Sequence, residues 1–453
     1  MLQSVLLLLL LGSGAQTAYY GTVYTYYVGD YQQSSYSLIY DFKLGYSSCV
    51  DFNTSLCSGN CSWITLHAID ESRDEWCQKV FVETYYTSYQ TVYNELFPTA
   101  NWIENRNGIR SSLIPLLFDL RNRSDINKPN SSPQTTIIPL LRVPSNCQRN
   151  INLLVFDPNG DEFRCRYSAG SECFNCTPLS VLSLSSACIL SFSPTNSSAE
   201  GPYAVQLIIE DFPRQTITLT NSSGSEEVKN TSNAISKVPV QFVFRVDPAV
   251  PSCTEGLYLP TFLPPTPENG AQIYTNVSQT VEINIQVSAT AAMITELLFS
   301  GPTGVSKSSL GSRNFTLTWT PSERDGGRSH TFCFVAQANS SNSVYQSDLR
   351  CIIVTTGESP SRPTFNVTTQ LPPTMIPPTA TSLLTPTTAV PSDTPTPEPY
   401  YILALNAKIL TTLSLEHDSA TIIELIKGEL QRQGLPIDIE VQIKDAGDIT
   451  PGA

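Results

Sequence analysis

Histidine and methionine are nearly absent from this chain, with three of each in 453 residues. Charged residues make up 15% of it, against roughly 25% in an average soluble protein. Gly-x-Ser-x-Gly, His-Glu-x-x-His, Gly-x-Gly-x-x-Gly and the Walker loop are all missing, which removes the usual hydrolase, zincin and nucleotide-binding signatures. Only His67, His330 and His417 could serve a Ser-His-Asp triad. His67 lies in an apolar strand-like stretch and reads as a core residue, and the other two sit at element edges. Paired carboxylates of the glycosidase kind stay open, because Asp and Glu are plentiful. The expectation is a protein that is not an enzyme.

Positive charge is also scarce. Lys and Arg total 26 against 40 Asp and Glu, a net charge of −14. That balance argues against nucleic acid, whose phosphates need clustered cations, and against docking on anionic membranes. After the first residues no run of about 20 apolar residues occurs, so a membrane helix is not expected. The polar ending Asp448-Ile-Thr-Pro-Gly-Ala does not resemble a GPI signal. Membrane attachment would then need an anchor not present in this sequence.

The N-terminus, by contrast, is a secretory leader. A short leucine run followed by Gly-Ser-Gly-Ala-Gln-Thr-Ala is too short to span a bilayer and ends in small residues, so residues 1–18 read as a signal peptide. Twelve cysteines follow, an even set that in this compartment implies disulfides. Cys173-Phe-Asn-Cys176 has a zinc-like spacing but lacks a second ligand pair. Twelve Asn-x-Ser/Thr sequons are scattered through the chain up to Asn366 and absent after it. Asn60, Asn130 and Asn175 have a Cys inside the triplet or a Pro behind it and are the weakest. The glycosylation candidates are Asn53, Asn122, Asn196, Asn221, Asn230, Asn276, Asn314, Asn339 and Asn366. The implied location is secreted or on the outer face of the plasma membrane.

Period-two alternation dominates residues 20–356. Val281-Glu-Ile-Asn-Ile-Gln-Val287 and Phe315-Thr-Leu-Thr-Trp319 each set apolar residues on one face; Asn314 shares the polar phase. Gly, Pro, Asn and Ser clusters separate such runs, the spacing of antiparallel sandwiches. The expected fold is mainly β: tandem antiparallel β-sandwich domains, a disordered Thr/Pro stalk and a small C-terminal βαβ module. Boundaries fall at 19–142 (N-terminal β-rich domain), 143–249 and 250–357 (two sandwiches forming a loose repeat), 358–399 (stalk) and 400–453 (βαβ module). The stalk holds 11 Pro and 15 Ser or Thr in residues 359–399, a composition that cannot build a core.

Leu153-Leu-Val-Phe-Asp157-Pro-Asn-Gly160-Asp161 resembles the Asp-x-x-Gly-Asp hairpin of cadherin-like and dystroglycan-type domains. His330-Thr-Phe-Cys-Phe-Val-Ala and Arg350-Cys-Ile-Ile-Val-Thr are similar to the last two strands of the same Ig-like superfamily. Residues 20–357 also resemble vertebrate secreted or cell-surface ectodomain proteins of uncharacterised activity, through Leu120-Arg-Asn-Arg-Ser-Asp, Arg142-Val-Pro-Ser-Asn-Cys-Gln-Arg-Asn and Tyr203-Ala-Val-Gln-Leu. The C-terminal segment resembles the first half of a SEA-type domain. The cadherin resemblance makes Asp157 and Asp161 candidates for Ca²⁺; without it they read as a tight Asn-Gly turn between two strands, and no other cofactor is implied.

Cys333 and Cys351 fall in adjacent expected strands and should bridge them. Cys49 with Cys77, Cys57 with Cys61, and Cys173 with Cys176 are the other expected pairs. Nine of the twenty tyrosines lie between Tyr19 and Tyr46. On a strand, Tyr20, Tyr24 and Tyr26 share one face, and Tyr is favoured both in strands and on binding surfaces. The function expected is recognition or adhesion, with an extracellular protein or glycan as ligand. The alternative is a structural mucin-like or matrix glycoprotein acting as a spacer, which would be sugared on every face.

Overall fold

A computed structural model describes residues 18–357 except 33–34, 50–64, 73–74, 88–90, 178 and 342. The chain divides into units 1–366 and 367–453, and all described residues belong to the first. The leader up to residue 17, Cys57, Cys61, Asn53, Asn366, the stalk and the βαβ module lie outside the described residues.

The regular secondary structure of the described residues is strand apart from three single 3-10 turns. β1 (Tyr19–Gln32), β2 (Ser35–Tyr46), β3 (His67–Ser72), β4 (Trp76–Thr87), β5 (Val92–Asn101) and β6 (Ser111–Asp119) come first. The middle of the chain adds β7 (Asn122–Arg123), β8 (Leu140–Pro144), β9 (Arg149–Asn152), β10 (Glu162–Tyr167), β11 (Leu182–Leu184) and β12 (Ile189–Phe192). β13 (Gly201–Phe212), β14 (Ile217–Thr220), β15 (Glu226–Lys229) and β16 (Ser236–Asp247) complete it. The last stretch holds β17 (Thr261–Leu263), β18 (Gln272–Thr275), β19 (Val281–Ser288), β20 (Met293–Ser300) and β21 (Ser306–Ser309). It ends with β22 (Asn314–Trp319), β23 (Ser329–Ser340), β24 (Ser343–Gln346) and β25 (Arg350–Thr356). Among the described residues no helix is long and apolar enough to cross a membrane.

The third sandwich follows its alternation. Ile283, Ile285, Val287, Phe315, Leu317 and Trp319 from the β17-β19-β22-β21 sheet meet Leu297, Phe299, Phe332, Phe334, Ile352 and Val354 from the β18-β25-β23-β20 sheet in one core. In the middle of the chain, the β11-β12-β9 sheet faces β13 and β16, with Phe192 and Phe244 ring centroids 5.6 Å apart. Both sandwiches share a device: a short early strand runs parallel to the closing strand, β8 beside β16 and β18 beside β25. The loose repeat seen in the sequence is therefore topological as well.

The boundary expected at 142/143 does not separate two sheets. β1 pairs with β16 at Val23 and Val240, and β6 pairs with it at Phe118 and Ser236, so the first strands extend the middle sandwich into one 10-stranded sheet. The close approach depends on Gly21. Its φ is +120°, and a Cβ there would lie 2.0 Å from the Gln241 carbonyl oxygen. Only glycine tolerates both conditions. Further along β1, residues 131–134 replace a partner strand: Ser131 and Ser132 hydroxyls accept the Val28 and Tyr26 amides, and the Ser132 amide donates to the Tyr26 carbonyl. That buried polar strap satisfies an edge that would otherwise be orphaned.

Candidate functional site

The Asp157-Pro-Asn-Gly160-Asp161 segment is a tight turn, but it is not a hairpin. β9 pairs with β12 in one sheet and β10 with β13 in the other, so the turn carries the chain across the sandwich. Gly160 supplies the positive φ of 77°. The Asp157 carboxylate accepts the amides of Asn159 at 2.8 Å and Asp161 at 3.0 Å, a side-chain-closed turn. The crossing brings Asp157 and Asp161 against Asp211 on β13, with carboxylate oxygens of all three within 4.8 Å of one another.

One cation serves this cluster. Arg123 of β7, 1% exposed, places its guanidinium on both oxygens of Asp161, one of them at 2.9 Å, and also pairs with Asp125 at 2.8 Å. Asp211 accepts the Ser236 hydroxyl and the Asn130 amide, the latter at 2.7 Å. Asp157 Oδ2 is the one carboxylate oxygen of the three without a donor. Four carboxylates, Asp125 included, against one guanidinium leave excess negative charge in a poorly hydrated place. Burial, followed by the charge of Asp211, pushes Asp157 from 3.8 up to about 8. Burial also raises Asp211, and hydrogen bonds from Ser236 and Asn130 resist the shift.

Ca²⁺ takes six to eight oxygens. Here five of the six carboxylate oxygens already accept protein donors, and Asn130 turns its amino group, not its oxygen, toward Asp211. Arg123 holds the place of the cation, and a metal would have to displace it from Asp161. Asp211, Arg123 and Asn130 carried no signal in the sequence, because their approach depends on the sheet crossing.

The tyrosines divide differently from expectation. Tyr20, Tyr24 and Tyr26 are only 6%, 8% and 1% exposed. Tyr20 belongs to the main core, and Tyr24 and Tyr26 pack with Leu38, Ile114 and Phe118. Tyr24 and Tyr26 share a face that β6 covers, whereas a bulge in β1 sets Tyr20 apart from them, so none of the three offers a surface to a ligand. The exposed tyrosines lie at the other end of these strands: Tyr31, Tyr85, Tyr86 and Tyr93 at 59, 47, 74 and 40%, with Val92 and Leu96 nearby in β5. Tyr31 packs at a tilt against Tyr36 and Tyr85 edge-on against Tyr40, with centroids at 4.9 and 5.6 Å. His67, expected in a core, is exposed on β3, which among the described residues pairs with β4 alone. His330 is buried, its Nε2 3.1 Å from Asp325.

Among the described residues five disulfides are formed: Cys49–Cys77, Cys147–Cys253, Cys165–Cys188, Cys173–Cys176 and Cys333–Cys351. Cys333 and Cys351 sit opposite one another on β23 and β25. Of the sequon asparagines, Asn196, Asn230, Asn276, Asn314 and Asn339 are exposed, and Asn122 and Asn221 are half-buried. Asn130 is 1% exposed and held by Arg123 and Asp211.

No family model and no curated protein matches the chain. Solved structures with partial likeness include the sialic acid binding region of a Streptococcus sanguinis adhesin, 9% identical over 50% of this chain and 77% of that one, TM-score 0.18. Human protocadherin-24 EC1-2 is 10% identical over 51% of this chain and 100% of its own, TM-score 0.16. An endo-fucoidan hydrolase of glycoside hydrolase family 107 is 13% identical over 67% of this chain and 38% of its own, TM-score 0.18. At these values none of them identifies a relative.

Proposed function

We propose that this chain is an extracellular recognition ectodomain without catalytic activity, and that it contacts its ligand through the tyrosine-bearing end of β1, β2, β4 and β5. The observation that carries this is the pairing of exposed aromatic surface with an absence of sequons. Tyr31 and Tyr85 are exposed on one face of the sheet and Tyr86 on the other, with Tyr93, Val92 and Leu96 exposed in β5, while residues 61–121 and 18–52 contain no sequon. Tyrosine gives a large amphipathic contact at low entropic cost. Asn53 and Asn60 follow β2 in the sequence, whereas the tyrosines cluster where β2 begins. A spacer would be sugared on every face; here the strands that carry these tyrosines hold no sequon, and the adjacent Asn122, three residues beyond the Asp119 that pairs with Val92, is half-buried. Disulfide bonding throughout the fold supports an oxidising, extracellular location. An extracellular protein or a glycan fits such a surface.

The test is a Tyr31→Ser, Tyr86→Ser double variant, secreted from mammalian cells and compared with the parent on cell surfaces and on glycan arrays. Both residues are exposed, so melting temperature should stay within a few degrees. Binding should fall at least about tenfold, the equivalent of 1.4 kcal/mol. A parent that binds and a variant that binds equally well would exclude this end as the contact surface.

A further inference from the structure

A second polar site lies where the large sheet meets the third sandwich. Lys43 of β2 and Arg324 line a cleft there with Asp41, Asp325, Val80 and Pro302. Lys43 is 8% exposed, and its ammonium donates to the Thr136 hydroxyl at 2.7 Å. No carboxylate among the described residues forms an ion pair with it. An ammonium has three N–H donors, and a buried charge without a counter-charge is costly. Burial lowers Lys43 to about 8; the Asp41 charge opposes this and Arg328 adds to it.

The two acids at the cleft are already engaged. Arg328 donates to Asp41 at 2.7 Å, and Asp325 accepts the Ser322 amide and hydroxyl at 2.8 and 2.6 Å and faces His330. Burial lowers His330 from its ordinary value, and the Asp325 carboxylate beside it opposes that shift. Three cations, Lys43, Arg324 and Arg328, then face two carboxylates. The surplus positive charge falls on Lys43, which is buried, and on Arg324, which is exposed at the rim and forms no ion pair among the described residues. Val80 and Pro302 add an apolar wall.

We propose that this cleft binds a small oxyanion, the carboxylate or sulfate group of a ligand whose remainder stays in solvent, with Lys43 and Arg324 as its counter-charges. The tyrosine-bearing end is a separate surface, and this inference does not depend on it. A buried ammonium and a guanidinium at the rim can both make charge-assisted hydrogen bonds to an oxyanion.

The secreted protein is titrated at pH 7 with sodium acetate or sodium sulfate, with ionic strength held constant by sodium chloride, and heat of binding and melting temperature are followed. Saturable binding is expected, weakened at least about tenfold in Arg324→Ser and in Lys43→Met. Arg324→Ser changes an exposed side chain and keeps the test valid if Lys43→Met does not fold. Saturation by acetate alone identifies a carboxylate ligand and by sulfate alone a sulfate ester. A response that does not saturate, or one that is unchanged in both variants, overturns the proposal.

Discussion

Replacing Asp157 with Asn should stabilise this protein at neutral pH, although it removes a carboxylate that accepts two hydrogen bonds. The Asn oxygen can keep the amides of Asn159 and Asp161, which both bond to the same Asp157 oxygen. The other oxygen has no donor, and an amino group in its place would point at neighbouring carboxylates. The folded-state pKa of Asp157 is raised, by burial first and Asp211 second, from 3.8 to about 8. A raised carboxyl favours the protonated form in the folded state. Its contribution is therefore fully present below pH 3.8 and is lost progressively as pH rises through about 8. At pH 7 the gap from the unfolded value is about three units, or ~4 kcal/mol at 1.36 kcal/mol per unit. Partial solvation of this half-buried group reduces that to about 2 kcal/mol. Urea unfolding in EDTA should show the variant's midpoint higher by roughly 0.5–1 M at pH 7.5 and unchanged at pH 3.5. Adding Ca²⁺ should leave the difference intact, because Arg123 holds the cation's place. A variant less stable at pH 7.5, or equally stabilised at both pH values, would refute the charge-excess account.

Gly21→Ala should cost roughly 3 kcal/mol or more, combining left-handed strain with overpacking against Gln241. Gly160→Ala, with φ +77° and nothing within 4 Å of the added Cβ, should cost only about 1 kcal/mol; comparable melting temperatures for the two would contradict the tight β1–β16 approach. The Tyr24→Ser, Tyr26→Ser variant should lose about 3 kcal/mol or more per site through cavity formation and be retained by the secretory quality-control machinery. Normal secretion with parental stability would show that these rings are not core.

Alternation made the third sandwich legible. Val281–Val287 and Phe315–Trp319 alternate in sequence, and their apolar positions are the ones that reach the core. Cys333 and Cys351 were readable for the same reason, since adjacent strands place their residues opposite each other. The tyrosine-rich strands were misread because period two identifies a shared face and not what covers it. Tyr24 and Tyr26 share a face, and β6, almost ninety residues further on, buries it. The turn at Asp157–Asp161 was recognisable as a turn, yet its partners Arg123 and Asp211 lie on β7 and β13.

The sequence by itself determined the β class, the disulfide-bearing composition and which positions alternate, because these depend on local backbone preference and on side-chain chemistry. Only the tertiary structure decided that the expected first domain joins the second in one sheet, that Asp157, Asp161 and Asp211 converge with Arg123 bound to Asp161, and which tyrosines meet solvent. Each of those outcomes turns on a long-range approach, such as Gly21 against Gln241, that no local pattern encodes.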